Sequence, residues 1–138
     1  NFFRRYSLPV ARFGLFVIFF WFGSLKVAGL SPATPLVQNL FEHTITFMSF
    51  HSFIIAFGVF EMLIGLLFVI KGLERVAIPL LAFHMVTTFM PLFLIPEATW
   101  SKTFIPTMEG QYIIKNLVII ATAMSVAANL HPIKSIKN

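Results

Sequence analysis

Four apolar runs, over residues 13–30, 47–70, 76–95 and 111–130, occupy most of this 138-residue chain. Each is long enough to cross the hydrocarbon core of a bilayer, which takes about 20 helical residues at about 1.5 Å apiece. A soluble domain has no use for so many. It carries charge on roughly a quarter of its residues, whereas this chain is 58% hydrophobic and 11% charged, with 18 Phe and 5 acidic residues. A small domain exposes a large share of its surface, and there is too little polar surface here to meet water. The outside of the fold is therefore lipid.

Boundary residues organise the chain around these runs. The first run follows Arg4, Arg5 and Arg12 and is interrupted by Ser24 and Lys26. A cleaved signal sequence with Val27-Ala28-Gly29 as its processing site is the alternative, but Lys26 and the three further runs favour an uncleaved span. Thr34-Pro35 reads as an N-cap followed by proline at the first helical position. With Val37, Phe41, Ile45 and Met48 at helical spacing after it, the segment predicts a short amphipathic helix in the outer loop. The turn from Lys71 to Arg75 is so tight that the second and third helices must be antiparallel neighbours. Pro91 is placed to kink or end the third helix, and Trp100 suits the membrane interface. Outside the spans, Arg4, Arg5, Arg12, Lys71, Arg75, Lys134 and Lys137 fall on one side, against Lys102 on the other. By the positive-inside rule both termini are cytoplasmic. The expected fold is all-α: one domain, residues 1–138, forming a transmembrane four-helix bundle.

Several chemistries are excluded. The net charge of +5 comes from basic residues at the ends of apolar runs; they make no basic patch interleaved with aromatics, so nucleic acid is not a partner. Cysteine is absent, which removes disulfides, thiolate metal sites and thiol oxidoreduction. No GxSxG, HExxH, P-loop or dinucleotide fingerprint occurs, no metal site is expected, and Gly14 and Gly23 read as helix-packing positions.

The informative residues are those that a bilayer excludes. Lys26, Glu61, His84 and Lys115 place one ionisable group in each span, with His51 at the outer edge. Ionised groups in hydrocarbon cost several kcal/mol unless paired or hydrated, so they face the bundle interior. At 100° per residue, Gly58, Glu61 and Gly65 share a face of helix two within about 60°. His84, Thr87, Thr88 and Pro91 share one on helix three, and Gln111, Lys115, Thr122 and Asn129 one on helix four. Counting residues puts Glu61 and His84 near the midplane, and Lys26 and Lys115 about a turn inside the outer boundary. The candidate intramembrane pocket is therefore Lys26, Glu61, His84, Thr87, Thr88, Gln111 and Lys115, with Glu61 paired to Lys115 or Lys26 and Trp21 available to stack on a ligand ring. The competing reading is that both lysines snorkel to the interface, that one ion pair fixes helix packing, and that His84 is a hydrogen-bonded core residue.

At these positions the chain resembles the DoxX-like family of small four-helix membrane proteins. The resemblance lies in Trp21-Phe-Gly23-Ser-Leu-Lys26, Gly29-Leu-Ser-Pro32, the Gly58–Glu61–Gly65 spacing and Gly110-Gln-Tyr-Ile-Ile-Lys115-Asn116. It implies a multi-pass four-helix bundle of the bacterial inner membrane and, beyond that, a quinone-linked redox role, with no agreed catalytic residues. The small size, the absence of a soluble domain and the lack of cofactor ligands make the leading expectation a non-catalytic accessory subunit of a larger membrane complex, of respiratory type, with no cofactor, partnered by the bilayer and by other membrane subunits or copies of itself. Two alternatives are a quinone-linked or small-anion redox protein using Lys26 and Lys115 as donors and Glu61 as proton acceptor, and a small solute or proton transporter.

Overall fold

The computed structural model describes residues 1–130. Lys134 and Lys137, which the sequence assigns to the basic side, lie outside the described residues. Four helical segments are long and apolar enough to span a membrane: Phe2–Val27, Phe50–Val69, Glu74–Leu94 and Met108–Ala128. The chain is a multi-pass membrane protein.

The first helix, α1 (Phe2–Val27), starts well before the apolar run at residue 13. Arginine is among the better helix formers, so the change from Arg4-Arg5 to apolar sequence marks no change of backbone. At about 1.5 Å per residue, this 26-residue helix exceeds the hydrocarbon thickness. It ends in Gly29, whose φ of +75° takes the left-handed conformation that closes a helix.

The amphipathic α2 (Thr34–Thr44) is present, but its N-cap is Ala33, which makes no side-chain cap bond, and Thr34 is the first helical residue. Ser31 turns the chain instead, its Oγ accepting from the Ala33 N–H at 3.2 Å. The helix stops before Ile45 and Met48, so its inner face is carried by Phe41, whose ring packs on Phe50 and Phe53.

Ser49 opens α3 (Phe50–Val69) by accepting from the Ser52 N–H at 3.3 Å. After the turn at Gly72, α4 (Glu74–Phe89) runs back alongside. Pro91 ends it as the sequence predicts, and two single turns follow, α5 (Pro91–Leu94) and α6 (Pro96–Thr99). A feature outside the all-α expectation comes next: the antiparallel ribbon of β1 (Trp100–Lys102) and β2 (Ile105–Pro106). Phe104 sits at its tip with a φ of +59°. The fourth span is broken at Asn116 into α7 (Met108–Lys115) and α8 (Leu117–Ala128).

The bundle is four-cornered, with α1 against α3, α3 against α4, α4 against α8 and α8 against α1. The α1–α3 pair is by far the most extensive, and small residues explain why. A Cβ on Gly23 would lie 2.5 Å from the Gly58 carbonyl oxygen, and one on Gly58 would lie 2.6 Å from the Gly23 oxygen. Only glycine on both sides permits that approach, the small-residue contact expected of membrane helices. Gly65 repeats it against the backbone of Phe16 and Phe20. Gly14, read from sequence as a packing position, faces open space. Leu15, Phe19, Ile64, Phe68, Ala77, Leu81, Met85, Ala123 and Val126 form one apolar core drawn from all four spans.

Candidate functional site

Above this core, α1, α3 and α4 bring three ionisable side chains together. Lys26 Nζ donates to Glu61 Oε2 at 3.0 Å, and His84 Nε2 donates to the other carboxylate oxygen, Oε1, also at 3.0 Å. Lys26 is 7% exposed, Glu61 4% and His84 6%. Lys26 therefore does not snorkel.

The direction of the Cα–Cβ bond makes the pairing possible. It tilts toward the N-terminus of its own helix. Because α1 and α3 are antiparallel, Lys26 leans down its helix toward Glu61 and Glu61 leans up its helix toward Lys26. The lysine stem crosses at Gly58, where a Cβ would come within 3.0 Å of Lys26 Cβ. The two layers of charge inferred from residue counting thus merge into one cluster.

Aromatic rings enclose it. The Phe57 ring lies parallel to the His84 imidazole, 5.2 Å away at 8°, and Phe19 meets it edge-on at 5.2 Å and 81°. Phe60 leans on the same ring, and Lys26 Nζ sits 5.6 Å from the centre of Phe57, within reach of a cation–π attraction. Ring contacts continue from Phe57, stacked on Phe53, to Phe41 on α2, which meets Phe53 at a tilt of 38°. Beyond His84, Thr88 Oγ lies 3.3 Å from Nδ1, and the Thr87 and Thr88 hydroxyls donate to the His84 carbonyl at 2.6 and 2.9 Å. Among the described residues, every buried side-chain nitrogen and oxygen has a partner.

Of the seven candidate pocket residues, Lys26, Glu61, His84, Thr87 and Thr88 meet here, whereas Gln111 and Lys115 do not. Both are exposed on α7, and Lys115 Nζ lies 5.4 Å from the Tyr112 ring of its own helix. The alternative pairing of Glu61 with Lys115 is not the one formed. Thr122 and Asn129 return their side-chain bonds to the carbonyls of Val118 and Ser125. The polar stripe expected on helix four is a single face, but it lies away from the buried side of the helix, which is carried by Ile113, Ala123 and Val126. Trp21, proposed as a stacking residue, is 60% exposed on α1 and turned away from the cluster.

Sequence reasoning missed the aromatic enclosure and a second ion pair. Phe57 stands one turn before Glu61 and Phe19 two turns before Lys26, so helical spacing was the available signal. Arg12 bonds Glu74 at 2.6 Å, and its Nε donates to the Phe68 carbonyl at 2.8 Å, closing the C-terminal end of α3. Glu74 also accepts from the Gly72 N–H at 2.9 Å. An orientation count that considers only basic residues passes over Glu74. Among the described residues no group of His, Asp and Glu side chains is placed to hold a metal ion.

Open space lies away from this cluster. A groove of about 600 Å³ runs between α4 and α8, walled by Leu81, Met85, Phe89, Ile120, Ala123 and Met124 among others. Fold and site together define a multi-pass helical membrane protein with a buried, internally paired charge cluster. Comparison with protein-family models, with curated proteins and with solved structures finds no match.

Proposed function

We propose that this chain is a non-catalytic, DoxX-like accessory subunit of a larger bacterial inner-membrane assembly of respiratory type, with both termini in the cytoplasm. The observation that carries the reading is the apolar groove between α4 and α8, an incompletely packed face within the membrane where a helix of another subunit can seat. Support also comes from the polar cluster, in which every buried side-chain nitrogen and oxygen among the described residues has a partner within the chain. The orientation follows from the distribution of basic residues.

Purification from native membranes in mild detergent tests this. A stoichiometric membrane partner is expected, and Ala82→Trp, which fills the groove from one wall, should release it. A monodisperse lone chain, or a partner indifferent to Ala82→Trp, overturns the reading.

A second reading, a quinone-linked redox protein, draws on the Phe57 ring lying flat on His84 beside the Lys26 donor. A planar carbonyl-bearing ring could take the place of Phe57. Glu61→Gln would then abolish turnover while leaving assembly intact, whereas loss of assembly alone favours the first reading.

A further inference from the structure

The hydrogen bonds around His84 can be counted proton by proton, and the count closes in two different ways. The Nε2 atom is committed to Glu61 at 3.0 Å and, facing a carboxylate, must carry hydrogen. The state of Nδ1 is then set by Thr88, whose hydroxyl has a single proton and two acceptors in reach: Nδ1 at 3.3 Å and the His84 carbonyl at 2.9 Å.

With a neutral ring, the Thr88 O–H points at the Nδ1 lone pair, and the carbonyl keeps its bond from Thr87 at 2.6 Å. With a doubly protonated ring, the new Nδ1–H points at a Thr88 oxygen lone pair, and the Thr88 O–H turns to the carbonyl, which has two lone pairs and accepts from both threonines. Neither arrangement leaves a buried polar atom unpaired. That is unusual, since an interior hydrogen-bond network normally fits one protonation state and penalises the other.

The geometry points to a reversible proton-binding site within the membrane span: His84 takes up one proton at Nδ1 and Thr88 switches its hydroxyl to accommodate it. Uptake forms one N–H bond, breaks none inside the chain and changes the cluster charge by one unit. The charged groups facing the ring are Lys26 from α1 and Glu61 from α3. Phe19, Phe57 and Phe60 cover its remaining surfaces, and α8 carries no ionisable residue. The Glu61 carboxylate attracts the added charge directly, while Lys26 on its other oxygen opposes it in part, so the protonated cluster carries one net positive charge. This inference goes beyond the accessory role and stands whether or not a partner is found.

Nitrogen-15 NMR of histidine-labelled protein in lipid nanodiscs tests it, with His84→Gln assigning the ring signals. As the pH is lowered over the range in which the bundle stays folded, the ring should pass reversibly from the Nε2–H tautomer to the doubly protonated form with the backbone spectrum unchanged. Thr88→Val removes the acceptor for the second N–H and should lower the ratio of doubly protonated to neutral ring about tenfold at a given pH. Thr88→Ser restores the hydroxyl and the ratio, while Thr87→Val leaves it within about twofold, because that hydroxyl does not touch the ring. A ring in one state throughout, uptake that unfolds the bundle, or equal effects of Thr88→Val and Thr87→Val would each refute the proposal. Should Thr88→Val not fold, the native titration and the Thr87→Val and Thr88→Ser pair still decide.

Discussion

Lys26 and Glu61 cost the fold more separately than together. A buried ion pair contributes little net stability, but removing one partner strands the other charge, at about 3–5 kcal/mol. Lys26→Met and Glu61→Gln should therefore each destabilise the bundle by about that amount, and the double variant should recover much of the loss. Unfolding by denaturing detergent, run as a double-mutant cycle, measures it; simple additivity would mean the two groups are not coupled. The sequence indicates that Glu61 turns inward, because a carboxylate at that depth is costly unless paired or hydrated. It does not show which lysine Glu61 takes. Lys26 and Lys115 have the same depth by residue count and differ only in what lies across from them. Lys26 passes over Gly58, a feature of the contact between two helices that neither helix reveals by itself.

Among the elements, the α1–α3 contact is the least forgiving. Gly23→Ala and Gly58→Ala each drive a methyl group into the facing carbonyl, so the helices must separate, at an expected cost of about 1–3 kcal/mol. Gly14→Ala meets open space on the same helix and should stabilise by about 0.5–1 kcal/mol through backbone entropy alone. The same unfolding measurement should give opposite signs for the two kinds of substitution; a shared sign would refute the packing argument. Element positions were legible where hydropathy changes sharply and illegible where the backbone turns without such a change. The start of α1 extends through charged sequence, the ribbon at Trp100–Pro106 lies in a loop with no alternating pattern, and the break at Asn116 falls inside an apolar run. Helical phase grouped Gln111 and Lys115 on one face correctly, but phase alone does not say which face turns to the bundle, and this one faces out.

For the molecule as a whole, orientation is the most accessible expectation to test. The chain has no cysteine, so single substitutions report without background. Lys71→Cys in the α3–α4 turn should react with a membrane-impermeant thiol reagent only after permeabilisation. Thr103→Cys in the ribbon should react in intact cells. The reverse pattern would invert the topology and the charge rule with it. The spanning architecture was legible because composition leaves lipid as the only possible surroundings. The association reading depends on the groove, and a groove is a gap between helices that no single run of residues encodes.

The uneven packing of the corners has a bearing on biogenesis. The tightest pair, α1 with α3, consists of spans made before α4 and α8, so the glycine contact can close before those two helices emerge from the ribosome. Glu61 would then hold Lys26 at once but await α4 for its histidine, and α8 would dock last onto a surface already built. A chain released after residue 73 should accordingly insert as a paired hairpin, while one lacking α1 should leave Glu61 without its lysine and be cleared by membrane quality control.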